Sequence, residues 1–407
     1  AQELLAKMRF LEMLSEGAAW SIVPSIHKLE DPWLNLIDLQ APEAQQQPAL
    51  MATKLAADKL RSSLREGTGV EAAVSEFARA LHAVGPYPQM GDLAREVHYN
   101  GFHPFRKAWM LYLFSLVCLF LTTGRGTLYW LGMSTAMTGV AFHLYGFYLR
   151  CMIGGRAPVT NMYESVIWVA FGAVFFALLF EARYRARSYL MAACSGAVVC
   201  LLLADQLPAV LDPSIRPLMP VLRSNFWLTI HVLTITLGYA AFLLGLGLGH
   251  MVLWKHLRGP DTQEELGNLH AALYRSLQVG VLLLAAGTLL GGVWANYSWG
   301  RFWGWDPKEV WALIALLGYL AILHARFTGW ISHFGIAACS VLAFQGVLMA
   351  WYGVNFVLGA GLHSYGFGNG GVEYVAVYSL AEVLFVAFVS WKVRGRNKRL
   401  DVVHQLR

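Results

Sequence analysis

The chain has 407 residues, of which 57% are hydrophobic and 14% charged, and its mean hydropathy is +0.48. A soluble domain cannot hide that much apolar surface, so the composition indicates a polytopic membrane protein. The net charge of +6 does not call for nucleic acid, because membrane topology already explains basic residues in short loops and a tail.

Residues 1–107 are polar and helix-prone. A break at A-P-E-A-Q-Q-Q-P-A (41–49) precedes two amphipathic helices, expected at 51–66 and 70–82, and G-P-Y-P (85–88) ends the pattern. The expectation is a small helical domain outside the bilayer. The chain opens without a methionine or a signal peptide, which reads as a processed product or the C-terminal part of something longer.

From residue 108 to 395 the chain carries nine candidate spans: 108–123, 127–149, 163–181, 188–210, 226–254, 275–295, 309–326, 333–354 and 374–393. Their lengths bracket what a hydrocarbon core of about 30 Å requires. The fold class expected is therefore an all-α membrane helix bundle. The tail, residues 396–407, is basic. Alternating back from it, the inner loops and the tail hold fourteen Lys and Arg against six in the outer short loops. This bias places the N-terminal region, the loop at 294–311 and the loop at 355–373 on the outer, non-cytoplasmic side. Five cysteines are present without a C-x-x-C pair or a C-x-x-C-H motif. That argues against a disulfide framework and against a c-type cytochrome.

The segment W-A-N-Y-S-W-G-R-F-W-G-W-D-P-K-E-V-W (294–311) is the most informative. Five tryptophans, one tyrosine and one phenylalanine fall within 18 residues, alongside Arg301, Asp306, Lys308 and Glu309. Such flat aromatic surface suits a large planar apolar ligand, with Trp294, Trp299, Trp303, Trp305 and Trp311 as its bed. His231 precedes the loop and His363 follows it in sequence, both toward the same face. Two neutral imidazoles on opposite sides of a porphyrin make a bis-His haem site. The bland alternative is a buried helix-packing histidine and a wet loop histidine. His324 lies about 25 Å below Pro307 at 1.5 Å per residue. It reads either as a second haem ligand or as a helix-packing hydrogen bond. His143 falls in the outer half of its span, too far in depth to share that haem. An inner partner such as His250 or His333, or one outside this chain, is required. In R-C-M-I-G-G-R-A-P-V-T-N-M-Y-E-S (150–165), Asn161 caps a helix and Glu164 sits in its first turn. Arg150 and Arg156 are candidate partners for haem propionates.

The run W-G-R-F-W-G-W-D-P-K-E-V-W (299–311) resembles the tryptophan-rich WWD signature of haem-handling proteins. Its D-P-K-E-x-W ending is similar to that of CcsA-type, or system II, cytochrome c synthases. The flanking His231 and His363, the membrane His324 and the G-R-A-P-V-T-N-M-Y-E-S block (155–165) also match. The resemblance covers roughly residues 100–395. It implies delivery of haem b across the bacterial cytoplasmic membrane, then thioether attachment to the C-x-x-C-H motif of an apocytochrome c on the outer face. His231, His363 and Asp306 are the expected catalytic group, with His231, His363 and His324 on haem iron. The haem-binding set adds His143, the five tryptophans, Arg150 and Arg156. Asp306, Lys308 and Glu309 either bind propionates or brace the loop. The implied partners are the apocytochrome, a thiol reductant pathway and a CcsB-like membrane part. That part is missing from this sequence, and residues 1–107 are read as a remnant of the junction. A haem transporter or chaperone without ligation activity, the haem-binding half of a two-part synthase and a redox membrane cytochrome are the competing readings. A solute transporter is disfavoured, since no inverted repeat is visible.

Overall fold

The computed structural model describes residues 8, 13, 17–18, 20–26, 31–85, 90–122, 124–215, 225–259, 263–359 and 370–405. They divide into two compact units, residues 1–97 and residues 98–407.

In the first unit a short antiparallel ribbon pairs β1 (Ser21–Val23) with β2 (Leu34–Asn35). The helical expectation did not include it. One turn of helix, α1 (Pro42–Gln45), leads into α2 (Pro48–Glu66) and α3 (Val70–Val84). Proline at the first turn starts α2, and Gly67 ends it at φ 71°, since only glycine adopts that geometry without strain. Val23, Leu39, Leu50, Leu81 and Val84 form the core. A Lys59–Glu76 ion pair at 2.5 Å ties α2 to α3, and the Lys59 ammonium holds the Glu76 carboxyl below its usual range.

α4 (Met90–Phe102) leads across the unit boundary. The second unit then continues with α5 (Pro104–Leu121), α6 (Thr127–Gly154), α7 (Met162–Tyr184), α8 (Ser188–Gln206), α9 (Asn225–Arg258), α10 (Gln263–Trp299), α11 (Pro307–Phe327), α12 (His333–Leu348) and α13 (Val372–Gln405). Among the described residues eight helices are long and apolar enough to cross a membrane, where nine spans were expected. The one that falls short is α6, which carries Ser134, Thr135, Thr138 and His143. Its hydroxyls are satisfied within the helix: Ser134 and Thr135 donate to the Leu131 carbonyl at 3.0 and 2.8 Å, and Thr138 to that of Ser134 at 2.9 Å. Such back-bonding lets polar residues ride on a membrane helix.

α9 is the central element. It packs against α7, α8, α10, α12 and α13, and 72% of its apolar window is buried, against 17% for α13. Two buried serines of the bundle are paired inside it. Ser115 donates to the Gly132 carbonyl at 2.7 Å and Ser276 to that of Ala241 at 2.6 Å, which pins α5 to α6 and α9 to α10. The span expected at 333–354 is not one uniform helix: α12 passes at Met349 into a π-helix, Met349–Leu358. The amide of Gly359 closes that segment on the carbonyl of Val354, five residues back.

Candidate haem site

α10 ends at Trp299, and Gly300, at φ 73°, turns the chain out of it. Six residues later Asp306 starts α11 with a capping box: its carboxylate accepts from the Lys308 amide at 3.0 Å, while Glu309 accepts from the Asp306 amide at 3.1 Å. Pro307 follows the cap, where a missing N–H costs nothing. Glu309 also accepts from the Gly304 amide at 2.8 Å and from Arg301 at 3.1 Å. A side chain at Gly304 would lie 1.7 Å from the Arg301 guanidinium, so glycine leaves room for this ion pair where a larger residue would make the arginine shift. The D-P-K-E segment is thus a helix start that braces the tryptophan loop.

Asp306 was expected in the catalytic group; here it is buried and acts as the cap. Asp306→Ala should cost about 1 kcal/mol of stability, read as a lower detergent-unfolding midpoint. Asp306→Asn, which keeps the capping oxygen, should behave as wild type in both stability and cytochrome c formation. Loss of function in the Asn variant without loss of stability would show that the carboxylate has a catalytic role beyond the cap.

His231 lies on α9 facing α10. Its Nδ1 donates to the Gly287 carbonyl at 2.8 Å, which fixes the tautomer with the lone pair on Nε2, the form that ligates iron. The imidazole fits because position 291 is glycine: a Cβ there would stand 2.6 Å from His231 Cε1. The buried Trp294 ring lies parallel to His231, within 6° and 6.2 Å away, and Trp299 meets Trp294 edge-on at 4.6 Å.

His231 opens on a cavity whose other walls include Trp294, Trp303, Phe302, Trp351 and Lys308, with the 159–162 segment at one side. Of the five expected tryptophans, Trp294 and Trp303 line it, while Trp299, Trp305 and Trp311 are not among its lining residues. Trp305 is 71% exposed and sits at φ 58°. Trp351 was not anticipated. It and Asn355, one π-helical turn apart, are turned to the cavity together, and Trp351 donates to the Ser165 hydroxyl at 2.9 Å.

The remaining expected residues are placed elsewhere. His363 lies outside the described residues. His143 is fully buried and away from the cavity: its Nε2 bonds the Ile167 carbonyl at 3.0 Å and its Nδ1 the Tyr112 hydroxyl at 3.2 Å. Phe105, Phe147 and Phe171 enclose it. Both ring nitrogens are thus engaged within the protein. His324 is exposed on α11, with Nδ1 bonded to the Leu320 carbonyl at 2.7 Å. Its candidate inner partners are engaged elsewhere, His250 with Glu382 at 2.8 Å and His333 with Arg326 at 3.0 Å. Arg150 and Arg156 both turn to Glu164, at 2.8 and 3.1 Å, and all three are buried. Glu164 in turn accepts from the amide and hydroxyl of Thr160 at 2.8 and 2.9 Å, which fixes the segment beside the cavity. Asn161 caps α7 through the Glu164 amide at 2.8 Å.

Comparison with known proteins agrees with this geometry. Residues 159–363 match the model of a family described as cytochrome C assembly protein. Protein NrfI of Wolinella succinogenes is 32% identical over 88% of this chain and 41% of its own length. The cytochrome c biogenesis protein CcsA of Chlamydomonas reinhardtii is 36% identical over 53% of this chain and 62% of its own. CcsA of Prochlorococcus marinus is 36% identical over 54% of this chain and 78% of its own. The chain thus spans 41% of NrfI and 62% of the algal CcsA. The matched region holds the capped tryptophan loop, His231 and the cavity between them, and the chain belongs to the cytochrome c assembly protein family.

Proposed function

We propose that this chain takes haem b as cargo to an outer-face site and there joins it to the two thiols of a C-x-x-C-H motif on an apocytochrome c. The observation that carries the reading is His231, with its Nδ1 tied to a backbone carbonyl and its ring opening on a cavity walled by Trp294, Trp303 and Trp351. An aromatic-walled cavity holding one oriented imidazole suits a porphyrin. His363, in the sequence after the π-helix, would supply the opposite axial ligand. The apocytochrome's own histidine would displace one of the two, bringing its thiols to the vinyl groups. Most of the acceleration is then proximity and orientation, because haem and thiol bring the reacting atoms themselves. The basic tail and loops orient this site and residues 1–107 to the outer side of a bacterial cytoplasmic membrane. Arg150 and Arg156, committed to Glu164, hold the cavity wall rather than a propionate.

A second reading is that the chain is the haem-binding half of a two-part synthase. The exposure of His324 on α11 favours it, because a membrane histidine turned outward suits an iron shared with a CcsB-like part. A thiol reductant pathway would keep the apocytochrome cysteines reduced.

The test is co-expression with an apocytochrome c in a host without maturation genes, with and without a CcsB-like part. A c-type pyridine haemochrome that resists acid-acetone extraction is expected once the CcsB-like part is present. A b-type spectrum in both arms would reduce the protein to a haem carrier without ligation activity.

A further inference from the structure

Thioether formation adds a thiol S–H across a vinyl C=C, so a proton must reach one carbon as sulfur bonds to the other. Of the groups lining the cavity, few can carry that proton. His231 is spent on iron in the reading above. Glu309 is spent on the loop, held by Arg301 and the amides of Gly304 and Asp306. Tyr239 lines the cavity too, but no hydrogen bond among the described residues aims its hydroxyl.

Lys308 is different. It occupies the second position of α11, where the capping carboxylate of Asp306 fixes its backbone amide at 3.0 Å. Its Nζ reaches across to the π-helix and donates to Asn355 Oδ1 at 3.2 Å. Asn355 is itself oriented, because its Nδ2 donates to the Trp351 carbonyl at 3.1 Å. A carboxamide positions an ammonium without competing for its proton, as a carboxylate would. The amine is therefore held at the cavity wall by a rigid relay from two helices, with Asp306, Glu309, Arg301 and His231 as the charged or titratable groups around it.

We propose that Lys308 is the proton carrier of the ligation step, acting on the vinyl group of the porphyrin and the thiol of the C-x-x-C-H peptide. The ammonium gives a proton to the vinyl β-carbon as the π bond breaks, and sulfur bonds to the α-carbon. The thiol proton then passes to the amine and restores the ammonium. Thiol plus alkene gives thioether, with no net oxidation or reduction. The inference rests on the ligation reading given under Proposed function.

The experiment uses the full chain, purified with its haem and the CcsB-like part, mixed with a reduced C-x-x-C-H peptide. Haem occupancy is read by absorbance and thioether formation by acid-acetone-resistant haem. Lys308→Arg keeps the charge but cannot release the proton near neutral pH, and Lys308→Met removes both. Both variants should retain haem within about twofold and lose about 100-fold in ligation rate, a typical acid–base contribution. Lys308→Arg ligating at the wild-type rate would overturn the proposal. So would haem occupancy falling in step with the rate, since Lys308 would then anchor a haem carboxylate instead. Wild-type protein that holds haem but forms no thioether would overturn the ligation reading itself and this inference with it.

Discussion

His231→Ala is expected to abolish covalent cytochrome c formation and to lower the haem that co-purifies with the protein by about tenfold or more, since even second-shell partners of metal-bound histidines are worth 10–100-fold. The size of the effect follows from how the ring is held. Its hydrogen bond to the Gly287 carbonyl and its place against Gly291 leave no neighbouring side chain able to take over its position. Haem content is read from the Soret band of purified protein, and ligation by haem stain after denaturing electrophoresis. His363→Ala should give the same phenotype. Unchanged ligation in both variants would remove the bis-His site from consideration. His143→Phe is the contrasting control. It strips the hydrogen bonds to Tyr112 and Ile167, so it should lower stability while leaving the haem content of folded protein intact.

Glu164→Ala is expected to be the most destabilising single change in the membrane unit. Arg150 and Glu164 are 1% exposed, and the Arg156 side chain is 8% exposed. One carboxylate serves two guanidiniums. Removing it leaves two buried cations facing each other, and breaking a buried pair in this way typically costs about 3–5 kcal/mol. Arg156→Gln should be far milder, because Arg150 still neutralises the carboxylate. Unfolding midpoints in a denaturing-detergent titration would check the order. If Glu164→Ala unfolds within about 1 kcal/mol of wild type, the network is solvated and Coulombic balance is not what holds it. The second consequence is local: the Thr160 bonds are lost, so the 159–162 wall of the cavity loosens along with the fold.

Features set by local sequence were legible without coordinates. Asn161 before Glu164 spells a helix start, and that cap forms; Asp306 before Pro307 and Glu309 carries the same signal, which the catalytic expectation passed over. Apolar runs of membrane length became helices, and among the described residues the polar-dotted α6 is the one too polar to count as a membrane span. Features that depend on distant partners were not legible. The hydrogen-bond partners of His143, Tyr112 and Ile167, lie 31 and 24 residues away. That Arg150 and Arg156 share Glu164 is not written in the local sequence either. Trp351 and Asn355 sit in an apolar run that any periodicity reads as α-helix. Which side of that helix meets the cavity is decided by its neighbours, and it is the side that carries both. The β1–β2 ribbon escaped notice because strands of three and two residues are too short to show alternation.

That π-helix makes chain length itself part of the site. An α-helix advances each residue by about 100°, and a π segment holds an extra residue that would otherwise shift everything after it. Deleting one residue between Met349 and Leu358 would let the segment relax to α geometry without changing any chemical group. With the deletion placed before Asn355, that side chain would rotate away from Lys308. Residue count is thus as much a part of the site here as residue identity.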